Sequence, residues 1–263
     1  MMGGNAGQNV FCFLASCLLP LALWAIPAFA EESSALHGPE GGWPQQGVFG
    51  AYDHGALQRG FLVYKQVCAA CHSLNLVAYR NLEALGYSEA EVKAIAAEVT
   101  VQDGPGDDGN MFDRPGRPSD HFKPPFANEK AARFANGGAL PPDLSLIVKA
   151  RHGGEDYVYS ILTGYGEPPS GAAVAEGMHY NKTFPGNQIA MPEPLAADDL
   201  VAYSDGTKAT KAQMAKDVVQ FLAWAAEPQM EQRKRIGIRS IIFLLIMAGI
   251  FYAAKRRVWR DLH

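Results

Sequence analysis

The stretch Cys68-Ala69-Ala70-Cys71-His72 constrains this chain more than any other. Cys-x-x-Cys-His is the attachment pattern of a c-type haem. The two thiols add across the porphyrin vinyl groups, and the next residue is carried beneath the iron as its proximal ligand. Of the four cysteines, Cys12 and Cys17 lie in an apolar leader and leave with it, so the mature chain holds only the motif's pair. A zinc site needs further Cys or His at ligand spacing, and no third Cys remains. A thioredoxin-like dithiol would sit at a strand-to-helix turn in a βαβ context, and no such alternation surrounds Cys68. One covalently bound haem is the expectation, with Cys68, Cys71 and His72 holding it.

Two apolar stretches frame this centre. Phe11 to Ile26 is continuously apolar and ends at Ala28-Phe29-Ala30, a small-x-small cleavage pattern just before Glu31-Glu32. Residues 1–30 are therefore expected to be a cleaved signal peptide, although the absence of Lys or Arg before Val10 leaves an uncleaved signal anchor as the alternative. From Ile236 to Ala254 the only charge is Arg239. A helix of that length spans roughly 30 Å, the hydrocarbon thickness of a bilayer, so residues 236–254 are expected to be a transmembrane helix. Basic residues flank both ends, and charge bias settles orientation poorly. The leader settles it: a translocated body, residues 31–235, leaves residues 255–263 on the cytoplasmic side. With these parts set aside, 18 basic residues face 26 acidic ones in the body, a net charge near −8. Such a surface favours a basic partner and repels nucleic acid.

The body reads as helical. Gly55 to Val67 lacks Pro and spaces Leu57, Phe61, Val63, Tyr64 and Val67 along one face of a helix running into the motif. Gly60 within it costs helix stability, which points to a close helix contact. Val218, Phe221, Leu222 and Ala225 follow the same spacing before Pro228. Ser88 and Glu91 form a capping box that opens a helix through Val92, Ile95, Ala96 and Val99. The fold class expected is all-α, a class I cytochrome c-like haem domain with long loops, plus one C-terminal transmembrane helix.

A sixth ligand must come from Met111, Met178, Met191, Met214, Met230, Met247 or the remaining histidines. Met191 stands out because Phe184-Pro185-Gly186-Asn187-Gln188-Ile189-Ala190-Met191-Pro192 is a loop with restricted backbone, which suits a weak thioether ligand. Core packing is the ordinary role of a methionine, so the residues alone leave this choice open.

Taken in order, Tyr64-Lys65-Gln66-Val67-Cys68, Val101-Gln102-Asp103-Gly104-Pro105, Arg114-Pro115-Gly116, Gly138-Ala139-Leu140-Pro141-Pro142-Asp143-Leu144-Ser145, Ala150-Arg151-His152-Gly153-Gly154-Glu155-Asp156-Tyr157 and Arg233-Lys234-Arg235 closely resemble the cytochrome c1 family. The resemblance runs from about Gly60 to Arg257. It implies Met191 as the methionine ligand and Arg151 and Tyr157 as contacts to the haem propionates, where a carboxylate needs a cation or donor. It places Asn136, Ala139, Pro141, Pro142, Phe184 and Ile189 on the pocket wall. An exposed salt bridge from Arg151 to Glu155 or Asp156 is the plainer alternative, and His152 and His179 are read as structural. The resemblance further implies an electron-transfer subunit of a ubiquinol–cytochrome c reductase complex that is dimeric as a whole. Its partners would be cytochrome b, the Rieske iron–sulfur protein, a soluble cytochrome c as acceptor and the lipid membrane. The short leader, without an Arg-rich transit segment, suits the inner membrane of a bacterium with the haem domain in the periplasm. Asp103, Asp107 and Asp108 are candidates for docking the acceptor. The acidic N-terminal extension and the extra Cys pair of some family members are absent. Two other readings stay open: a haem subunit of a different membrane redox assembly, and a thiol–disulfide oxidoreductase using Cys68 and Cys71.

Overall fold

The computed structural model describes residues 36–260, so the leader expected at residues 1–30 lies outside the described residues. Asp53 opens helix α1, His54–Gln66, by accepting from the backbone N–H groups of Gly55 and Ala56. The helix begins and ends one residue ahead of the expected Gly55 to Val67 and feeds into a 3₁₀ turn, Cys68–Ala70, that opens the haem motif. Ser88 and Glu91 form the expected capping box at the start of α2, Glu89–Ala97. Three short helices follow: α3 at Glu129–Ala135, α4 at Ile147–Ala150 and α5 at Gly154–Thr163. Helix α6, Lys211–Ala226, is capped by Thr210 and is buried along almost its whole length from Met214 onward.

Helices α1 and α6 cross at Gly60. A Cβ there would lie 2.0 Å from the Asp217 carbonyl oxygen and 2.7 Å from Phe221 Cβ, so only glycine permits the approach. On either side of the crossing, Phe61 and Tyr64 pack against Phe221 and Phe122 with ring centroids 5.7–6.0 Å apart. Beside it the Arg59 guanidinium donates to the fully buried Asp217 carboxylate at 2.9 and 3.1 Å, and to Asp205 at 2.7 Å. Removing one partner of a buried pair costs about 3–5 kcal/mol, so this cluster fixes the register of the crossing more than it adds net stability.

Two small antiparallel ribbons lie within the loops: β1, Thr100–Asp103, with β2, Phe112–Pro115; and β3, His179–Tyr180, with β4, Gln188–Ile189. Strands this short show no readable alternation, and the helical class expected from sequence holds. The last helix, α7 at Met230–Val258, has 29 residues and encloses the expected span 236–254. Its most apolar 18-residue window has a mean hydropathy of 2.1, and none of that window is buried. It begins six residues ahead of the apolar run because Glu231, Gln232, Arg233, Lys234 and Arg235 are themselves good helix formers.

Candidate haem site

The motif is anchored by a second segment far along the chain. His72 Nδ1 and the Pro142 carbonyl oxygen lie 2.8 Å apart, so the ring nitrogen donates and Nε2 keeps its lone pair. Four further bonds stitch residues 73–76 to residues 143–145, and a fifth ties the second segment to itself. Asp143 Oδ2 accepts from the Ser73 hydroxyl at 2.7 Å and from the Asn75 N–H at 2.9 Å. Its Oδ1 accepts from the Ser145 N–H at 2.9 Å. The Leu144 N–H donates to the Ser73 carbonyl at 2.9 Å, and the buried Ser145 hydroxyl accepts from the Leu76 N–H at 3.1 Å. Burial works against the charge on Asp143, but donors from Ser145, Asn75 and Ser73 outweigh it and hold the carboxyl below its usual range. The carbonyl that orients His72 thus sits on a loop fixed by a carboxylate, which the sequence reading missed.

Burial lowers the His72 imidazole below its ordinary value, against opposing pulls from the Pro142 carbonyl and the Asp143 charge. The ring is therefore neutral at neutral pH, the form that ligates a metal. Burial also pushes the Cys68 thiol up to about 12, with the Cys71 sulfur adding to the effect. No disulfide joins Cys68 and Cys71. Reactive dithiols depend on a depressed thiol pKa, so the raised one at Cys68 argues against the thiol–disulfide oxidoreductase reading.

The loop carrying Met191 is held against α5. The fully buried Asn181 donates from Nδ2 to the Ile161 carbonyl at 2.8 Å, while its Oδ1 accepts from the Thr183 and Phe184 N–H groups at 3.0 and 3.2 Å. Ile189 in β4 is paired with His179, and the Tyr165 hydroxyl donates to the Met191 carbonyl at 3.0 Å. Among the other methionines, Met214 and Met230 are buried in the core, with side chains committed to packing, and Met111 is exposed beside β2. Met191 and Met178 are half-buried in this loop region.

The remaining candidates divide. Ala139, Pro141, Tyr157, Phe184 and Ile189 are each half-buried, and Pro142 is exposed but contributes its carbonyl. Asn136 ends α3 and spends its amide on the Ala132 carbonyl at 2.7 Å, which makes it a helix terminator first. Arg151 is exposed and makes no ion pair among the described residues. The carboxylates proposed as its partners are taken: Asp156 by Trp43 Nε1 at 2.7 Å and Glu155 by Gln45 Nε2 at 3.3 Å. Asp103 is bound by Arg114 and Asp108 by the side chain of Asn110, so two of the three acids considered for acceptor docking serve their own loop.

The Cytochrome C1 family matches residues 43–262. The chain belongs to the cytochrome c1 family. Its relatives include "Cytochrome c1 1, heme protein, mitochondrial" of Arabidopsis thaliana, 52% identical over 97% of this chain and 83% of the relative. Cytochrome c1 of Rhodospirillum rubrum is 49% identical over 92% of this chain and 93% of its own length. The "Cytochrome b-c1 complex catalytic subunit, mitochondrial" of Candida albicans is 48% identical over 96% and 88% respectively. The site geometry fits the family's prosthetic group. Cys68 opens the 3₁₀ turn and Cys71 ends it, the next imidazole is oriented with Nε2 free, and Ala139, Pro141, Phe184 and Ile189 keep partly open apolar side chains. As a member of that family, the chain is a c-type haem protein with an apolar C-terminal helix suited to membrane anchoring.

Proposed function

We propose that this chain takes one electron from a Rieske iron–sulfur protein and passes it to a soluble cytochrome c, as the haem c subunit of a ubiquinol–cytochrome c reductase complex. The observation that carries this reading is the His72 ring oriented by the Pro142 carbonyl beside the two motif cysteines, in a chain with a membrane-length helix. The bound haem supplies a one-electron iron couple. Cys68 and Cys71 would hold it by thioethers, and His72 and Met191 would ligate its iron. Arg151 and Tyr157 meet the propionates, and Asn136, Ala139, Pro141, Pro142, Phe184 and Ile189 form the wall. No side chain acts as acid, base or nucleophile on a substrate, so the chain is not an enzyme by itself; quinol chemistry belongs to cytochrome b and the Rieske subunit of a dimeric complex. The haem domain, residues 31–235, lies on the periplasmic side of a bacterial inner membrane after loss of residues 1–30. Residues 236–254 cross the membrane and residues 255–263 are cytoplasmic.

The test is a reduced-minus-oxidised spectrum of the complex purified in mild detergent, followed by quinol addition. The expected result is c-type and b-type bands together, with electrons from quinol appearing on added soluble cytochrome c. A c-type band that quinol does not reduce, in a preparation containing neither b haem nor a Rieske centre, places the chain in a different redox assembly.

A further inference from the structure

The segment that precedes α1 forms a closed loop pinned to the start of α7. The Ala51 N–H donates to the Pro44 carbonyl at 3.1 Å and closes the loop at its base. At Gly50 a Cβ would lie 1.9 Å from the Gln46 carbonyl oxygen, and Gly47 takes a φ of +76°, so two glycines set a tight tip with Val48 and Phe49 between them. Lys234 Nζ donates to the carbonyls of Gln45 at 2.6 Å and Gly50 at 2.9 Å, and the Glu231 carboxylate accepts from the Tyr52 N–H at 2.9 Å.

These contacts give the loop a direction. Tyr52, at the base, meets Glu231, whereas Gly50, next to the tip, meets Lys234, which lies about 4.5 Å farther along the helix axis. The loop therefore advances along α7 toward the apolar run that starts two residues beyond Lys234, at Ile236. Its tip carries Val48 at 64% and Phe49 at 87% exposure, while Trp43 behind it is buried. An aromatic side chain this open, at the level where a helix changes from basic to apolar, has the character of an interfacial anchor.

We infer that Val48 and Phe49 insert into the polar–apolar boundary of the bilayer that α7 crosses, giving the haem domain a second contact with lipid. This rests on the reading of α7 as a membrane span. One span alone leaves a domain free to swivel about its linker. A second contact, tied to the same helix by Lys234 and Glu231, fixes the tilt of the haem domain against the membrane surface.

The experiment uses the full mature chain with its haem, in vesicles of phosphatidylcholine and phosphatidylglycerol. The haem consumes Cys68 and Cys71, so a single introduced cysteine can carry a nitroxide label. Phe49→Cys is compared with Leu245→Cys in the middle of the span and Glu83→Cys on the exposed surface of the domain. Collisional relaxation is measured with oxygen, which partitions into lipid, and with a water-soluble nickel chelate. The expected oxygen-to-nickel ratio at position 49 is severalfold above that at position 83 and approaches that at position 245. A ratio equal to that at position 83, with position 245 still lipid-like, overturns the inference and leaves the span intact. Nickel access at position 245 overturns the span reading as well. A label at 49 shielded from both reagents in the assembled complex shows that another subunit covers this tip, and also overturns the inference.

Discussion

In Met191→Leu, the midpoint potential of the bound haem falls by on the order of 0.2 V, within the ~0.8 V range over which axial ligands set haem potentials. Leucine keeps the volume and apolar character of the side chain, so the loop fixed by Asn181 and Tyr165 keeps its backbone contacts. The variant removes only the thioether, which favours ferrous iron and raises the potential. For one electron, about 59 mV is a factor of ten, so the expected shift weakens electron acceptance by roughly a thousandfold or more at equilibrium. Haem content and helical signal stay at the level of the unaltered chain. An unchanged potential would move the ligand elsewhere, and Met178, half-buried in the same loop region, is the next side chain to replace.

The largest expected effect on stability is at Gly60. Substituting alanine gains about 1 kcal/mol in helix propensity. Against this, the new methyl meets the backbone oxygen of Asp217 at 2.0 Å and Phe221 Cβ at 2.7 Å, and neither can move without shifting α6. Overpacking against a fixed backbone costs about 3 kcal/mol or more, so the clash outweighs the propensity. The net loss is about 2 kcal/mol, so for a domain of this size the melting temperature is expected to fall by roughly 4–8 °C, read from the thermal loss of helical signal. A melting temperature within a degree or two of the unaltered chain would show that α1 and α6 separate easily, and that the crossing does not set the core.

Both predictions trace to features of different visibility in the sequence. Gly60 was legible as a close-contact residue because a glycine inside an apolar helical pattern needs a packing reason, and the structure supplies it in Asp217. The haem motif and the capping box at Ser88 were legible because their chemistry lies within five residues. Asp143 was quoted as part of a family motif, yet its task was invisible: its donors are Ser73 and Asn75, brought to it only by the fold. Asn181 and Tyr165 escaped notice for the same reason, each holding the Met191 loop through a carbonyl or N–H that no pattern marks. The ion pair of Arg59 with Asp217 joins the two ends of the domain and was equally hidden. The short ribbons β1–β2 and β3–β4 fall below the length at which alternation can be read. The tie between Asp103 and Arg114 was hidden as well, because a loop acid looks solvated until the fold brings its partner to it.

A haem bound covalently through Cys68 and Cys71 stays with the chain when the protein unfolds, so the mass of the denatured chain reports it. The protein, taken from its own membrane and denatured under reducing conditions, is predicted to weigh one haem more than its mature sequence. That increment should be lost when both cysteines are replaced by alanine. A chain at its bare sequence mass, with two free thiols or a disulfide between Cys68 and Cys71, would contradict the account at its foundation.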